Sequence, residues 1–253
     1  MDTKLKGKTV VITGASRNMG SLAAVAFARE GANLAICTSA KMTQLNEVAA
    51  ECRAHGVRVV SEQCDVADPA SVNRFIGKVV GELGTVHVVL NNAVYRVDTA
   101  PFLEVPDEDW EKSFRVNLGG PRNVCKAVLP LMIKQRWGKI INISSQTGVI
   151  ALDDHSAYAS SKGGLNALTK SLCVEWAKHN IQVNAICPTV ILTPMGRKIW
   201  GPTEKSGPML KATPLGRFGE PVEIADMALY LASPASELVN GSILMIEGGY
   251  TSL

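Results

Sequence analysis

The sequence predicts an α/β fold with a parallel sheet, formed by residues 1–253 as a single domain, and three observations carry that expectation. Short β-branched apolar runs recur along the chain, beginning with KTVVIT at Lys8 to Thr13. Between them lie amphipathic stretches of roughly 10–15 residues, the length of a helix that returns the chain to the same edge of a sheet. The first run passes through Gly14 straight into an alanine-rich helical pattern, SLAAVAFARE. A chain of 253 residues is long for one domain, yet α/β folds of this size form one unit with a sizeable core.

Composition removes several function classes. With 46% hydrophobic and 19% charged residues the chain reads as a soluble globular protein. No apolar run approaches the roughly 20 uncharged residues of a membrane span, and MDTKLKGKTV has no signal-peptide core, so a cytoplasmic location is expected, with no membrane partner. The formal charge of +3 is spread without a basic run, which gives no reason to expect nucleic acid as a partner. Six cysteines are scattered without a CxxC, so neither a metal site nor a disulfide framework is indicated.

Each element follows in order. After the strand Lys8 to Thr13 and its glycine turn, a helix is expected from Asn18 to Glu30; strand, glycine and helix in this order turn backbone N–H groups and the positive helix end toward a phosphate. Asn33 to Thr38 is the second buried strand. An acidic residue about 20 positions beyond the glycines would hold a ribose 2′-hydroxyl and select NAD(H), but Thr38 to Lys41 contains none. Arg17 and Lys41 instead offer positive charge to a 2′-phosphate, so NADP(H) is favoured over NAD(H). An amphipathic helix, the strand VRVVSEQCDV, a helix from Pro69 to Glu82 and the strand VHVVLNNA follow. Asp65 and Asn91 stand at strand ends, where ligands bind, as candidates to touch the cofactor or to cap the next turn.

Pro106 to Gln135 reads as one long helix interrupted near Gly119, Gly120 and Pro121, with Asn117 inside it, where a polar side chain needs partners. KIINISS at Lys139 to Ser145 is a fifth strand. It leads into the stretch around which the chain is organised, SSQTGVIALDDHSAYASSK. Asp153 or Ser156 would cap the helix that carries Tyr158 and Lys162, which runs to about His179. Tyr158 and Lys162, four apart, share one helix face, and an ammonium beside a phenol of pKa about 10 stabilises the phenolate, so the pair can move protons. IQVNAIC is the sixth strand. From Thr189 to Gly219 prolines and glycines accumulate, which reads as a functional flap with a short helix. A helix from Pro221 to Leu231 and the strand SILMIE close the chain.

Taken together, the motifs resemble those of the short-chain dehydrogenase/reductase family over essentially the whole length. TGASRNMG is similar to that family's TGxxxGxG turn, NNAV to its NNAG, YASSK to its YxxxK, and Asn117 within FRVNLGG to its tetrad asparagine. Ser145 and Tyr158 have the family's spacing of serine and tyrosine. The resemblance implies a Rossmann-type doubly wound sheet of seven parallel strands with helices on both faces, and homotetramers. It implies cofactor contacts from Gly14, Ser16, Arg17, Asn18, Met19 and Gly20 in the turn and from Ser39. Further contacts are implied from Asp65 and Val66, from Asn91 and Ala93, from Tyr158 and Lys162, and from Ile191 and Thr193. It implies Tyr158 as proton donor or acceptor, Lys162 on the nicotinamide ribose, Ser145 on the substrate oxygen, and Asn117 holding a water for proton replacement. Two positions depart from the pattern. Asn18 replaces the middle glycine, a place where asparagine tolerates left-handed angles, and Val94 replaces the last glycine of NNAG.

The active-site residues are most similar to those of L-xylulose, or dicarbonyl, reductases, which implies a pocket lined by Ser145, Gln146, His155 and Trp200. Polar Gln146 and His155 suit a hydroxylated substrate, because unpaired buried polar groups are costly. The expected activity is reduction of a small ketose, polyol-derived or dicarbonyl substrate with NADP(H). One alternative is a 3-oxoacyl-(acyl-carrier-protein) reductase, whose acidic carrier would dock on a basic face gathered from Lys126, Lys134, Arg136 and Lys139. Another, prompted by Asn18 and Val94, is a catalytically inactive NADP-binding scaffold or sensor.

Overall fold

Strands buried on both faces are largely apolar, with any polar side chain hydrogen bonded: all five residues of TVVIT and all eight of IQVNAICP are buried, and Asn184 in the latter donates to Val239 O (2.8 Å). The computed structural model describes residues 2–201 and 203–252. Its strands are β1 (Thr9–Thr13), β2 (Asn33–Thr38), β3 (Val59–Gln63), β4 (Val88–Asn91), β5 (Gly138–Ile143), β6 (Ile181–Pro188) and β7 (Ile243–Ile246). All pair in parallel, in the order β3-β2-β1-β4-β5-β6-β7. The order reverses between β1 and β4, and that switch point opens a crevice at the carboxyl ends of the strands.

Helices cover both faces. On one side α1 (Asn18–Arg29), α2 (Met42–Arg53) and α9 (Pro221–Ala232) pack Phe27, Leu45 and Leu231 against Ile12, Leu34 and Ile36. On the other, α3 (Pro69–Leu83), α5 (Gly120–Gln135) and α6 (Ser156–Trp176) bring Phe75, Met132 and Leu172 onto Val11, Val89 and Val183. Local sequence sets the helix starts: Asp68 accepts from the N–H groups of Ala70 and Ser71, with Pro69 in the first turn, where a missing N–H is harmless.

Three segments differ from the sequence expectation. The long helix is α4 (Asp107–Phe114) running through a π turn at Arg115–Gly119 into α5, so Asn117 sits in a widened turn and the glycines cause no break. His155, not Asp153 or Ser156, occupies the N-cap of α6 and makes no side-chain cap bond, while the Ser156 hydroxyl is buried without a partner. The segment after β6 holds two helices, α7 (Pro194–Trp200) and α8 (Thr203–Ala212), where one was expected. Its ends are joined: Leu192 N–H donates to Gly219 O (2.8 Å) and Gly219 N–H to Val190 O (3.0 Å). Among the described residues no helix is long and apolar enough to cross a membrane.

Candidate active site

A cavity of about 1060 Å³ runs along the carboxyl ends of the strands, from the β1–α1 turn to the flap. At one end β1 delivers Gly14 at φ +65°, and a Cβ there would lie 2.8 Å from Ala93 Cα. Gly20, one turn into α1, packs against the same turn, since a Cβ on it would meet Gly14 O and Asn92 Nδ2 at 2.5 Å. Gly20 shapes the turn without lining the cavity. Asn18 adopts φ +56°, the left-handed conformation its side chain tolerates. Arg17 precedes α1 in extended geometry and makes no side-chain cap, which leaves the first-turn N–H groups to a ligand.

The turn is latched by a residue the sequence reading passed over. Asn92 and Ala93 donate backbone N–H bonds to Thr13 Oγ1 (3.1 and 3.0 Å), and Asn92 Nδ2 donates to the carbonyls of Thr13 and Gly14 (both 3.0 Å). Its neighbour Asn91 points the other way: buried, it donates to Asn142 Oδ1 (2.9 Å) and does not reach the cavity. Strand alternation explains the split, because successive side chains face opposite sides. Ser16, Arg17, Asn18, Met19, Ser39, Asp65, Val66 and Ala93 all line the cavity, as do Ile191 and Thr193 at its far end. Asp65 lines the cavity, and its carboxylate caps the next turn by accepting from Ala67 N–H (2.9 Å). Thr38 to Lys41 form the wall beyond Ser16, whose hydroxyl lies 3.2 Å from that of Thr38, and no carboxylate stands among them. A glycine cradle that Cβ atoms would fill and open helix amides fit the diphosphate and ribose of a dinucleotide.

The middle of the cavity holds the reactive groups. Ser145 leaves β5 with its Oγ accepting from Thr147 N–H (3.2 Å) and Thr147 Oγ1 (3.0 Å), so its own hydrogen is the one that can be donated to the Tyr158 oxygen in the cavity. Tyr158 and Lys162 enter from α6, and Lys162 Nζ lies 5.6 Å from the Tyr158 ring centroid. Lys162 is 2% exposed, donates to Ile143 O (2.6 Å), and burial brings its pKa down to about 8. Burial likewise raises Tyr158, while the hydrogen bond with Ser145 and the charge of Arg96 pull it back. Asn117 is fully buried away from the cavity. Its Oδ1 accepts from Tyr95 N–H (2.8 Å), and its Nδ2 donates to Tyr95 O (3.0 Å) and to the hydroxyls of Ser113 and Ser161 (both 3.1 Å).

Around the reactive groups lie Gln146, His155 and Trp200. Gln146 is 2% exposed, and its Oε1 is buried without a hydrogen-bond partner. His155 Nδ1 is 2.5 Å from Asp153 O, a bond that requires the proton on Nδ1 and leaves Nε2 as an acceptor. Trp200 meets Phe218 edge to face at 5.8 Å. Tyr95, Arg96 and Lys112 also line this part. They escaped the sequence reading because they follow NNAV in a loop of no regular pattern or stand across it on α4.

A family model described as enoyl-(acyl carrier protein) reductase matches residues 14–251. Among curated proteins the chain is 37% identical to D-threitol dehydrogenase of Mycolicibacterium smegmatis, covering 99% of this chain and 95% of that one. It is 37% identical to L-xylulose reductase of Bos taurus, covering 99% of each. It is also 37% identical to a 3-oxoacyl-(acyl-carrier-protein) reductase of Thermotoga maritima, covering 97% and 98%. Among solved structures, NAD+-bound xylitol dehydrogenase superposes with a TM-score of 0.93 at 30% identity, covering 97% and 100%. A gluconate 5-dehydrogenase of Burkholderia cenocepacia, solved with NADP, superposes with a TM-score of 0.92 at 34% identity, covering 98% and 97%.

Proposed function

The chain belongs to the short-chain dehydrogenase/reductase family of oxidoreductases acting on CH–OH and C=O groups, and from that premise we propose that it reduces the carbonyl of a small polyhydroxylated ketone with NADP(H). The observation that carries the substrate class is Gln146, a polar side chain that lines the cavity while its Oε1 is buried with no partner in the protein. Such a group costs about 1–3 kcal/mol unless a ligand donates to it, and a substrate hydroxyl does so where an acyl chain does not. The acyl-carrier alternative loses part of its docking face, because Lys139 is 1% exposed and donates inward to Ser236 Oγ (3.3 Å). The scaffold alternative is disfavoured by Asn18, whose left-handed backbone accommodates the missing glycine, and by the presence of Ser145, Tyr158 and Lys162 in one cavity.

The α1 amides and Gly14 turn would take the diphosphate, Arg17 and Ser39 the 2′-phosphate, Lys162 the nicotinamide ribose, and Ile191 and Thr193 the nicotinamide. The bound dinucleotide supplies hydride in the reducing direction and accepts it in the oxidising one. Tyr158 gives its phenolic proton to the substrate oxygen as an alcohol forms and takes it back in reverse. Ser145 donates a hydrogen bond to that oxygen as negative charge develops. Lys162, 5.6 Å from the Tyr158 ring centroid, would favour the ionised phenol while it is charged. Because the side chain of Asn117 is bonded to Tyr95, a proton-replacing water would be held there by the backbone of the π turn. The segment 189–219 acts as a flap over the substrate, and a cytoplasmic homotetramer is the proposed working state.

Loss of NADPH absorbance on mixing with L-xylulose or diacetyl, with NADH alongside, tests the reading. Turnover preferring NADPH is expected, with Tyr158→Phe reducing it at least about 1000-fold while dinucleotide affinity persists. Activity on an acetoacetyl thioester alone would transfer the protein to the acyl-carrier class. Arg17→Ala should weaken NADPH more than NADH; equal losses would remove the case for the phosphorylated cofactor.

A further inference from the structure

The cavity contains a cation that the proposed reaction does not use. Arg96 lies on the loop after β4, and its neighbours are fixed while it is not. On one side Tyr95 is held at its backbone by Asn117, at its hydroxyl by Asp109 Oδ1 (2.5 Å), and at its ring by Lys112 Nζ, 4.5 Å from the centroid. On the other side Val97 is 8% exposed and lines the same cavity. Further along, Ala100 N–H donates to Asp154 O (3.2 Å), which ties this loop to the one before α6. Between these anchors the Arg96 side chain is exposed at the cavity and makes no hydrogen bond or ion pair among the described residues.

The other charges near this part of the cavity are differently placed. Lys112 and Asp109 are both engaged by Tyr95, while Arg197 and Arg217 are paired with Glu220 and Glu223. Asp98 and Asp154 stand exposed on the same wall, and neither pairs with Arg96. Of all these groups, Arg96 is the one whose charge reaches the hydroxyl of Tyr158. A guanidinium that opens onto the cavity holding Tyr158 and Ser145, on a loop anchored at its neighbours and with no anion engaged among the described residues, offers a place for one.

We propose that Arg96 is a specificity-determining residue that receives a carboxylate on the ketone, so that the substrate is a polyhydroxylated keto acid. This rests on the reading of the site as a polyhydroxy-ketone reductase. A guanidinium matches a carboxylate through two parallel N–H···O bonds. A phosphate dianion fits less well, because one guanidinium leaves it with surplus charge that Asp98 and Asp154 repel.

The test compares three ketones with NADPH: 5-keto-D-gluconate, L-sorbose, which carries CH2OH in place of the carboxylate, and L-sorbose 6-phosphate. The wild-type protein should favour the keto acid over L-sorbose in kcat/KM. Arg96→Gln should cut that preference by about 10- to 100-fold, mainly through KM, and Arg96→Lys should restore part of it. With L-sorbose, Arg96→Gln should also move the pH profile of kcat/KM upward, since a positive charge near Tyr158 is lost. In the Tyr158→Phe protein loaded with NADPH, 5-keto-D-gluconate should still change cofactor fluorescence, and Arg96→Gln in that background should weaken this binding.

Equal losses on keto acid and L-sorbose would overturn the proposal while leaving the reductase reading intact, and so would preference for the phosphate ester. Failure of all three ketones while L-xylulose is still reduced would overturn the proposal alone, and failure of L-xylulose and diacetyl as well would overturn both.

Discussion

At the scale of single residues, the site is assembled from groups that the fold alone would not choose. Lys162 is the sharpest case. Its ammonium is buried with Ile143 O as its hydrogen-bonding partner, and burial lowers its pKa from 10.5 to about 8. A base whose folded pKa is depressed costs stability wherever it must be charged in the fold. The cost is full below about pH 8, shrinks between 8 and 10.5, and vanishes where the unfolded chain is also neutral. Lys162→Met should therefore abolish turnover yet stabilise the free protein at pH 7, by up to about 3 kcal/mol. Urea melts at pH 7 and pH 10 check this, and a gain that does not narrow with rising pH would show that burial of charge is not its origin. Lys162, Tyr158, Ser145 and Gln146 were legible in the sequence because their motifs have fixed spacing on a strand end and a helix. Arg96 was not, since the contacts that anchor its neighbour Tyr95 come from Asn117 and Asp109, further along the chain.

At the scale of elements, the π turn between α4 and α5 links the helix to the site. It turns the Asn117 side chain across to the backbone of Tyr95, which a sequence pattern shows only as a polar residue in a helix. Asn117→Ala removes the partners of the Tyr95 N–H and carbonyl, so a loss of about 1–3 kcal/mol is expected. Hydrogen exchange at the Tyr95 amide locates the effect, and undiminished protection there would count against the clamp. The same clamp mounts Arg96, so kcat/KM for a carboxylate-bearing ketone should fall further than for a neutral one. Whereas β3 and β7 are only partly buried, strand positions were legible most directly where apolar runs are buried on both faces, as in β1 and β6. Helix caps and the split of the flap into two helices were not, because they depend on tertiary neighbours: His155 takes the cap of α6 although two better capping residues flank it.

At the scale of the whole molecule, the two ends of the sheet carry different duties. The carboxyl ends hold the cavity, while the opposite end is closed by His87, whose Nδ1 accepts from Thr9 N–H (2.9 Å) and whose ring meets Trp137 edge to face at 6.1 Å. Burial first, and then the charge of Lys8, lowers the His87 pKa from 6.5 to about 4. The stability from keeping it neutral is present above pH 6.5 and is lost as pH falls toward 4. His87→Gln, which can still accept from Thr9, should flatten the dependence of Tm on pH across that window; an unchanged acid limb would exclude His87 as its source. The flap departs from this frame in a different way, because it leaves and rejoins the body at nearly one point, where Leu192 and Val190 are bonded to Gly219. Closing a loop grows costlier only slowly with its length, by about 0.6 kcal/mol per doubling. The segment between those bonds, tied to the body also by Leu215 N–H donating to Gly248 O (3.0 Å), can therefore gain or lose residues at small entropic cost while the sheet is inherited unchanged.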